Sequence, residues 1–289
     1  MANYVSDDGI CLRVRDFSET SQIVGVFTRG HGLVPLIAKG IKRENKKGVV
    51  SGPLDLLTAG EVVYVPAKAM RGGAAASGAA IGGELGTLAA WELVDHRTGL
   101  RKDLAALNAA MVCAEVTTLL VQPYDPHEGL FGELEAALGM LAGEGGKGER
   151  ARTVVAYVKA ALVAAGYGPQ LESCLRCGKA LVSDRRVRFV AEAGGFVCGE
   201  ECGGEVVRGR GIAVAGRLVV ALSRLPAPTG LGVLGGRPAD VEALGAALEL
   251  LLGQVEAVTD RPVKTRYLLG SIFRERAGAA GAGPGLSPP

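Results

Sequence analysis

The sequence predicts an α+β chain: a small five-stranded Greek-key barrel, then an all-α domain into which a four-cysteine hairpin is inserted. Three observations predict it. Apolar and polar residues alternate with period two in short runs over residues 10–95, the pattern of strands with two different faces. Beyond Leu100 the apolar spacing changes to three and four, as on one side of a helix. Finally, Cys174 and Cys177 form a C-x2-C pair, and 20 residues later Cys198 and Cys202 form a C-x3-C pair.

The barrel strands follow in order. Ile10, Leu12 and Val14 alternate with Cys11, Arg13 and Arg15, which predicts one buried face and one outer face carrying two arginines. Residues 16–20 turn, residues 22–28 form the second strand, Arg29-Gly30-His31-Gly32 is a hairpin turn, and residues 33–39 form the third strand. A charged loop covers residues 40–48, and β character resumes at Leu54-Asp55-Leu56-Leu57 and at residues 61–65. The low-complexity run RGGAAASGAAIGG at 71–83 reads as a flexible tip, and residues 84–95 supply the last strand. Five strands with a long loop after the third suggest a barrel of the oligonucleotide-binding (OB) type.

The helices come next. Leu104, Leu107, Met111 and Ala114 define the apolar side of the first, with Asp103 at its N-terminus and Pro123 and Pro126 beyond its end. A second helix spans 129–142, a loop 144–148, and a third helix 150–165, its core side formed by Val154, Val155, Val158, Ala161 and Leu162. Gly166 fits its C′ position. After the cysteines, residues 211–225 read as helix and 231–237 as a Gly-rich loop. Val241, Leu244, Leu248, Leu251, Leu252 and Val255 mark a long helix over 239–258, and a last helix covers 265–276. The chain thus divides into a barrel with a basic face at 1–95, a helical domain at 96–276 with its hairpin at 172–206, and a Gly/Ala/Pro tail at 277–289 of a composition that stays disordered.

Two short strands, 186–190 and 195–198, join the cysteine pairs around Gly194-Gly195. Four sulfur ligands leave no open position for water, so one structural zinc is favoured over a catalytic one. A redox CxxC would follow a strand of a βαβ unit, and here the preceding segment is helical. Disulfides would require an oxidising compartment. Cys11 and Cys113 read as buried thiols.

Composition bounds the function. The 289 residues suffice for two domains, and with 48% apolar but only 4% aromatic residues the core is aliphatic. A net charge of +2 does not by itself announce a nucleic-acid binder. Met1 to Asp8 has two acids and no basic n-region, and no run of about 18 apolar residues occurs, so neither a signal peptide nor a membrane span is expected, and the chain reads as cytoplasmic. His31, His96 and His127 form no HExxH pattern and no phosphate-binding GxxxxGK[ST] is present, so catalysis is not expected. The local charge is more informative. Lys39, Lys42, Arg43, Lys46 and Lys47, against Glu44, give +4 over nine residues, and Arg13, Arg15 and Arg29 extend this into one basic face able to hold phosphates. A charge run in isolation is most often a solvated loop. Tyr4, Phe17, Phe27 and Tyr64 are the aromatics available for base stacking, whereas Trp91 fits a core position better.

Four stretches carry a resemblance: Ser18-Glu19-Thr20-Ser21-Gln22-Ile23-Val24, Phe27-Thr28-Arg29-Gly30-His31-Gly32, Ala38-Lys39-Gly40, and Gly166-Tyr167-Gly168-Pro169-Gln170-Leu171-Glu172-Ser173-Cys174-Leu175-Arg176-Cys177-Gly178. With Arg261-Pro262-Val263-Lys264-Thr265-Arg266-Tyr267-Leu268-Leu269, they make the chain resemble the bacterial RecO family of recombination mediators over about residues 9–273. The resemblance implies an OB barrel followed by a helical domain with a zinc hairpin. It also implies a nucleoid-associated, non-enzymatic protein that binds single- and double-stranded DNA, anneals strands coated by single-strand binding protein, and with RecR helps load RecA. Its DNA- and RecR-facing surface would map to Arg15, Arg29, Lys39, Lys42, Arg43, Lys46 and Lys47. The acidic, Phe-ending tail of single-strand binding protein would dock on the helical domain, with Arg152, Lys159 and Arg266 as contributors. The competing expectation is a zinc-hairpin interaction scaffold whose DNA contact is incidental.

Overall fold

A computed structural model of the chain describes residues 3–42, 53–67, 85–182, 185–198, 202, 211–231 and 240–273. Strands β1 (Val5–Asp16), β2 (Gln22–Thr28), β3 (Gly32–Ala38), β4 (Ala59–Val65) and β5 (Gly86–Asp95) close into a barrel in the order β1-β2-β3-β5-β4. Only the β3–β5 pairing is parallel. The first half of β1 pairs with β4 and the second half with β2, so one long strand closes the barrel on both sides. Closure leaves no open sheet edge among these strands. This is the expected OB-like barrel.

The phase of β1 differs from the simple alternation. A bulge between Cys11 and Arg13 shifts its register against β2. Cys11 points into the barrel with Val24, Val26, Val34, Leu36, Val62, Tyr64 and Trp91, whereas Ile10 and Leu12 point out and are buried against the helices together with Phe27 and Leu33. Both faces of β1 are therefore apolar at this point, which a one-face reading does not allow. The stretch Leu54–Leu57 is also not a strand. Leu57 has φ 65°, its N–H donates to the Cys11 carbonyl at 2.7 Å, and Cys11 N–H donates to the Thr58 carbonyl at 3.0 Å, so this turn fills the gap the bulge opens.

The helical part comprises α1 (Thr98–Lys102), α2 (Leu104–Leu120), α3 (Glu128–Ala142), α4 (Lys147–Ala164), α5 (Gly216–Arg224), α6 (Pro228–Leu231), α7 (Val241–Thr259) and α8 (Leu269–Ile272). Asp103 caps α2 by accepting from Ala105 N–H at 3.0 Å, and Asp240 caps α7 by accepting from Ala243 N–H at 3.0 Å. Gly166, at φ 82°, ends α4 as expected, and Tyr167 N–H donates back to the Leu162 carbonyl at 2.7 Å. Helix α2 runs through the middle of the core, so its buried side is broader than the predicted one: Ala114 is buried and Leu107 and Met111 pack against the core as expected, but Leu104 does not. Leu104 is exposed and Leu107 and Met111 half-buried, while Ala106, Ala109, Ala110, Val112, Cys113 and Val116 are buried. Helix α4 begins at Lys147, earlier than expected, and buries Val154, Val155, Val158, Ala161 and Leu162.

Two segments change class. Residues 212–215 are a strand, β8 (Ile212–Ala215), which joins β6 (Arg186–Val190) and β7 (Gly195–Cys198) in a three-stranded sheet of order β7-β6-β8. The segment Lys264–Leu268 is a 3-10 turn leading into the single turn of α8, so no continuous last helix forms there. The loop expected at 231–237 lies mostly outside the described residues, as do the 71–83 tip and the 277–289 tail. Phe189 and Phe196, 4.9 Å apart at their ring centroids, pack into the helical core, so the cysteine-bearing sheet is part of that core rather than an appendage.

The barrel and the helices share a tight seam. Tyr124, between α2 and α3, donates its N–H to the Leu33 carbonyl at 3.1 Å and packs its ring against the barrel interior. Gly32 has φ 68°, and a Cβ there would lie 2.0 Å from the Asp125 carbonyl oxygen, so only glycine fits. Phe27 of β2 meets Phe131 of α3 at 5.7 Å. No helix among the described residues is long and apolar enough to cross a membrane.

Candidate nucleic-acid interface and metal centre

The seam divides the basic residues of the barrel into two sets. Arg13, half-buried, donates from Nη2 to Thr118 Oγ1 of α2 at 3.0 Å, and burial, with the nearby Arg261 charge, lowers its pKa. Arg29 lies 4.6 Å above the Phe131 ring and pairs with Asp8 at 3.3 Å and Glu135 at 3.4 Å. Both arginines bind barrel to helices, and Arg29 still keeps 37% of its side chain exposed. Arg97, Arg101 and Arg150 have related structural roles that sequence reasoning missed. Arg97 is buried with φ 46° beside Asp95, Arg101 pairs with Asp55 at 2.5 Å, and Arg150 is held by Asp103 and the Ile272 carbonyl. A basic residue at an element end carries no sequence signal that distinguishes these roles.

Arg15, Lys39 and Lys42 form the second set, at the far end of the barrel wall. The β1–β2 turn fixes their neighbourhood. Arg15 is exposed opposite Ile23, and Asp16 pairs with Gln22, which in turn pairs with Ala38 just before Lys39. Lys42 N–H donates to the Thr20 carbonyl at 3.2 Å, and its ammonium meets Asp16 Oδ1 at 2.7 Å, which holds the Asp16 carboxyl below its usual range. Among the described residues no salt bridge engages Arg15 or Lys39, and both are exposed. Arg43, Lys46 and Lys47 continue the run in sequence but lie outside the described residues. Of the four candidate aromatics, Phe27 and Tyr64 are buried and Tyr4 lies at the opposite end of β1, which leaves Phe17, 62% exposed, on the turn beside Arg15. Trp91 is in the barrel core, as expected.

The three cations considered for the helical domain are not brought together by any of these contacts. Lys159 donates from Nζ to the Leu222 carbonyl at 3.0 Å and to that of Leu225, closing the C-terminus of α5, and burial lowers its pKa. Arg266 is held by Glu249 at 2.8 Å and by Glu256. Arg152, on α4, is half-buried and already engaged.

The cysteine cluster forms as the spacing predicts. The sulfurs of Cys174, Cys177, Cys198 and Cys202 all lie within 4.8 Å of one another, and Leu175 N–H donates to the Phe196 carbonyl at 2.8 Å, joining the first cysteine pair to β7. The Cys177–Cys198 and Cys198–Cys202 sulfurs are 3.4 Å apart, too far for disulfide bonds at about 2 Å and compatible with the edges of an S4 tetrahedron about a metal. Burial works against the Cys174 thiolate, but N–H donors, among them Cys198 N–H at 3.3 Å, bring its pKa down to about 6. The Cys198 thiol is pushed up to about 12 by the sulfurs of Cys202 and Cys177. Four sulfurs this close cannot all ionise without a cation between them, so the donor set fits a metal ion. Cys11 and Cys113 are buried free thiols with pKa raised by burial, unlike the cluster.

Two family models match the chain. The one described as recombination protein O N terminal matches residues 1–72, and the one described as recombination protein O C terminal matches residues 101–266. Among individual proteins, the chain is 35% identical over 194 residues to the DNA repair protein RecO of Rhodopirellula baltica, covering 67% of this chain and 65% of that one. It is 32% identical over 265 residues to the DNA repair protein RecO of Anaeromyxobacter dehalogenans, covering 91% of this chain and 95% of the relative. With the DNA repair protein RecO of Moorella thermoacetica it shares 29% over 197 residues, 68% of this chain and 66% of the other.

Proposed function

The chain belongs to the RecO family of DNA repair proteins, and from that premise we propose that it is a non-enzymatic recombination mediator whose barrel rim holds the DNA backbone. The observation that carries this reading is the grouping of Arg15, Lys39 and Lys42 at one end of a closed barrel, where the chain runs on into Arg43, Lys46 and Lys47. Cations at such a rim bind phosphates by releasing counterions, which gives affinity for single and double strands alike with little base preference. Holding two backbones at once brings complementary strands together, the physical requirement of annealing. RecR is the partner we assign to the same rim, and the helical domain would take the acidic tail of single-strand binding protein, so that strands coated by it are presented for RecA loading. The setting for this work is the nucleoid, in the cytoplasm.

The metal we assign is one zinc ion. An all-sulfur set of four matches its tetrahedral preference and leaves no position for a water, so its role is to hold the fold. Metal analysis of the purified chain should return one zinc per chain, and Cys174→Ser should lose it. Tight metal binding that survives loss of any one of the four cysteines would contradict a closed site.

For the DNA reading, affinity for a single-stranded oligonucleotide is measured across a salt series for the wild type and for Lys39→Ala/Lys42→Ala/Arg43→Ala. Removing three phosphate contacts should flatten the slope of log affinity against log salt by about 2. An unchanged affinity and slope would remove the rim from the DNA site. Annealing of oligonucleotides coated with single-strand binding protein then tests the mediator role directly.

A further inference from the structure

We propose that Phe17 is a stacking platform for one unpaired base, which makes the barrel rim a site that favours single-stranded over duplex DNA. The proposal rests on the DNA-binding reading above and deepens it. Phe17 is a large apolar side chain left 62% exposed, in a chain where aromatic residues make up only 4% of the whole. Its position is fixed by the backbone. Phe17 N–H donates to the Ser21 carbonyl at 3.0 Å and Ser18 N–H to the same carbonyl at 3.3 Å, a tight turn closing β1 onto β2. That turn is held in turn by the 39–42 segment, through Lys42 N–H on the Thr20 carbonyl at 3.2 Å and Gly40 N–H on Ser21 Oγ at 3.4 Å. The ring is therefore presented on a braced edge.

Cations stand near it along the backbone. Arg15 is two residues before it on the exposed outer side of β1, and the Lys42 ammonium sits on Asp16, the residue next to it. Half-buried Ile23, opposite Arg15, and Ile37, opposite Ile23, extend an apolar row across the wall behind these charges. A phosphate on Arg15 or Lys39 and a base face on the ring is the pair of contacts by which barrels grip single strands. Bases paired inside a duplex expose edges, not faces, so the ring gains nothing from a duplex.

The test uses the full chain with Phe17→Ala and Phe17→Trp, and two labelled probes of equal length: oligothymidylate and its duplex with oligoadenylate. Phe17→Ala should weaken oligothymidylate binding about tenfold with an unchanged salt slope, because the phosphate contacts remain, while duplex affinity stays within about twofold. Phe17→Trp should restore the affinity, and its added indole fluorescence should be quenched by oligothymidylate. If Phe17→Ala binds both probes as the wild type does, or loses equally on both, the platform is overturned while the backbone-binding rim stands. If the wild type shows no salt-dependent binding to either probe, the DNA reading itself fails and the platform with it.

Discussion

Two groups of cations in this molecule look alike in sequence and differ in use: those of the seam and interior, Arg13, Arg29, Arg97, Arg150 and Lys159, and those of the barrel rim, Arg15, Lys39 and Lys42. Each of the first group is engaged by a specific partner, although Arg29 keeps 37% of its side chain exposed. Arg150, with 2% of its side chain exposed, meets the Ile272 carbonyl at 3.0 Å and Asp103 at 3.1 Å, tying α4 to both the α2 cap and α8. Lys159 closes one helix end, and Arg29 stacks on a ring of the opposite domain. The rim cations keep their water, apart from the Lys42–Asp16 pair. A guanidinium whose N–H groups are already shared with carboxylates, a hydroxyl or a carbonyl has fewer of its five donors left for a phosphate. The difference teaches that charge count does not separate structural cations from free ones; the partners of the charged head do.

The contrast is broken most severely at Arg150. Arg150→Ala should cost about 3–5 kcal/mol in urea unfolding, because it removes a buried guanidinium that ties Asp103 to the Ile272 carbonyl. Arg29→Ala should cost about 1–2 kcal/mol, the sum of a cation–π contact and two partly exposed pairs. Neither substitution should alter the salt slope of DNA binding. A flattened slope for Arg29→Ala, in a variant that still unfolds cooperatively, would move that arginine to the rim group.

Much of the fold was legible in the sequence because its signals are local. The second and third strands, Asp103 at the start of α2, Gly166 at the end of α4, and the cysteine spacing all act within a few residues, and all appear where expected. What was hidden depends on distant partners. The bulge at Leu12 reverses which side of β1 meets the core, and it is stabilised by a turn some 45 residues away at Leu57. Strand β8 reads as the start of a helix until β6 is there to pair with it. At the site the same rule holds: the cysteines were legible, whereas Arg13 looked like a surface residue because nothing near it announces Thr118 of α2.

The rim half of the comparison is sharpened by Arg15→Ala/Lys39→Ala. Both side chains are exposed, so thermal unfolding should shift by no more than the few tenths of a kcal/mol typical of surface positions. Binding should respond instead. Two lost phosphate contacts predict a slope flatter by about 1.4 on single strands and about 1.8 on duplex. A stability loss comparable to that of Arg29→Ala, with no change of slope, would show that these two are structural cations as well.

The smallest effect falls on Asp16, which stands between the two groups by holding Lys42 as the interior acids hold their arginines. Its carboxyl competes with phosphate for the ammonium 2.7 Å away. Asp16→Asn should therefore raise DNA affinity, by about two- to fivefold at low salt, and steepen the salt slope by up to about 0.7 on single strands as Lys42 becomes available. Acid cannot substitute for the mutation in the working range. Lys42 depresses the Asp16 pKa, so the pair persists as pH falls through the ordinary carboxylate range and is lost only below the depressed value. Between pH 7 and pH 5 the ratio of Asp16→Asn to wild-type affinity should thus stay constant. A ratio that closes toward one across that interval would mean that Asp16 is already protonated there and that Lys42 belongs wholly to the rim.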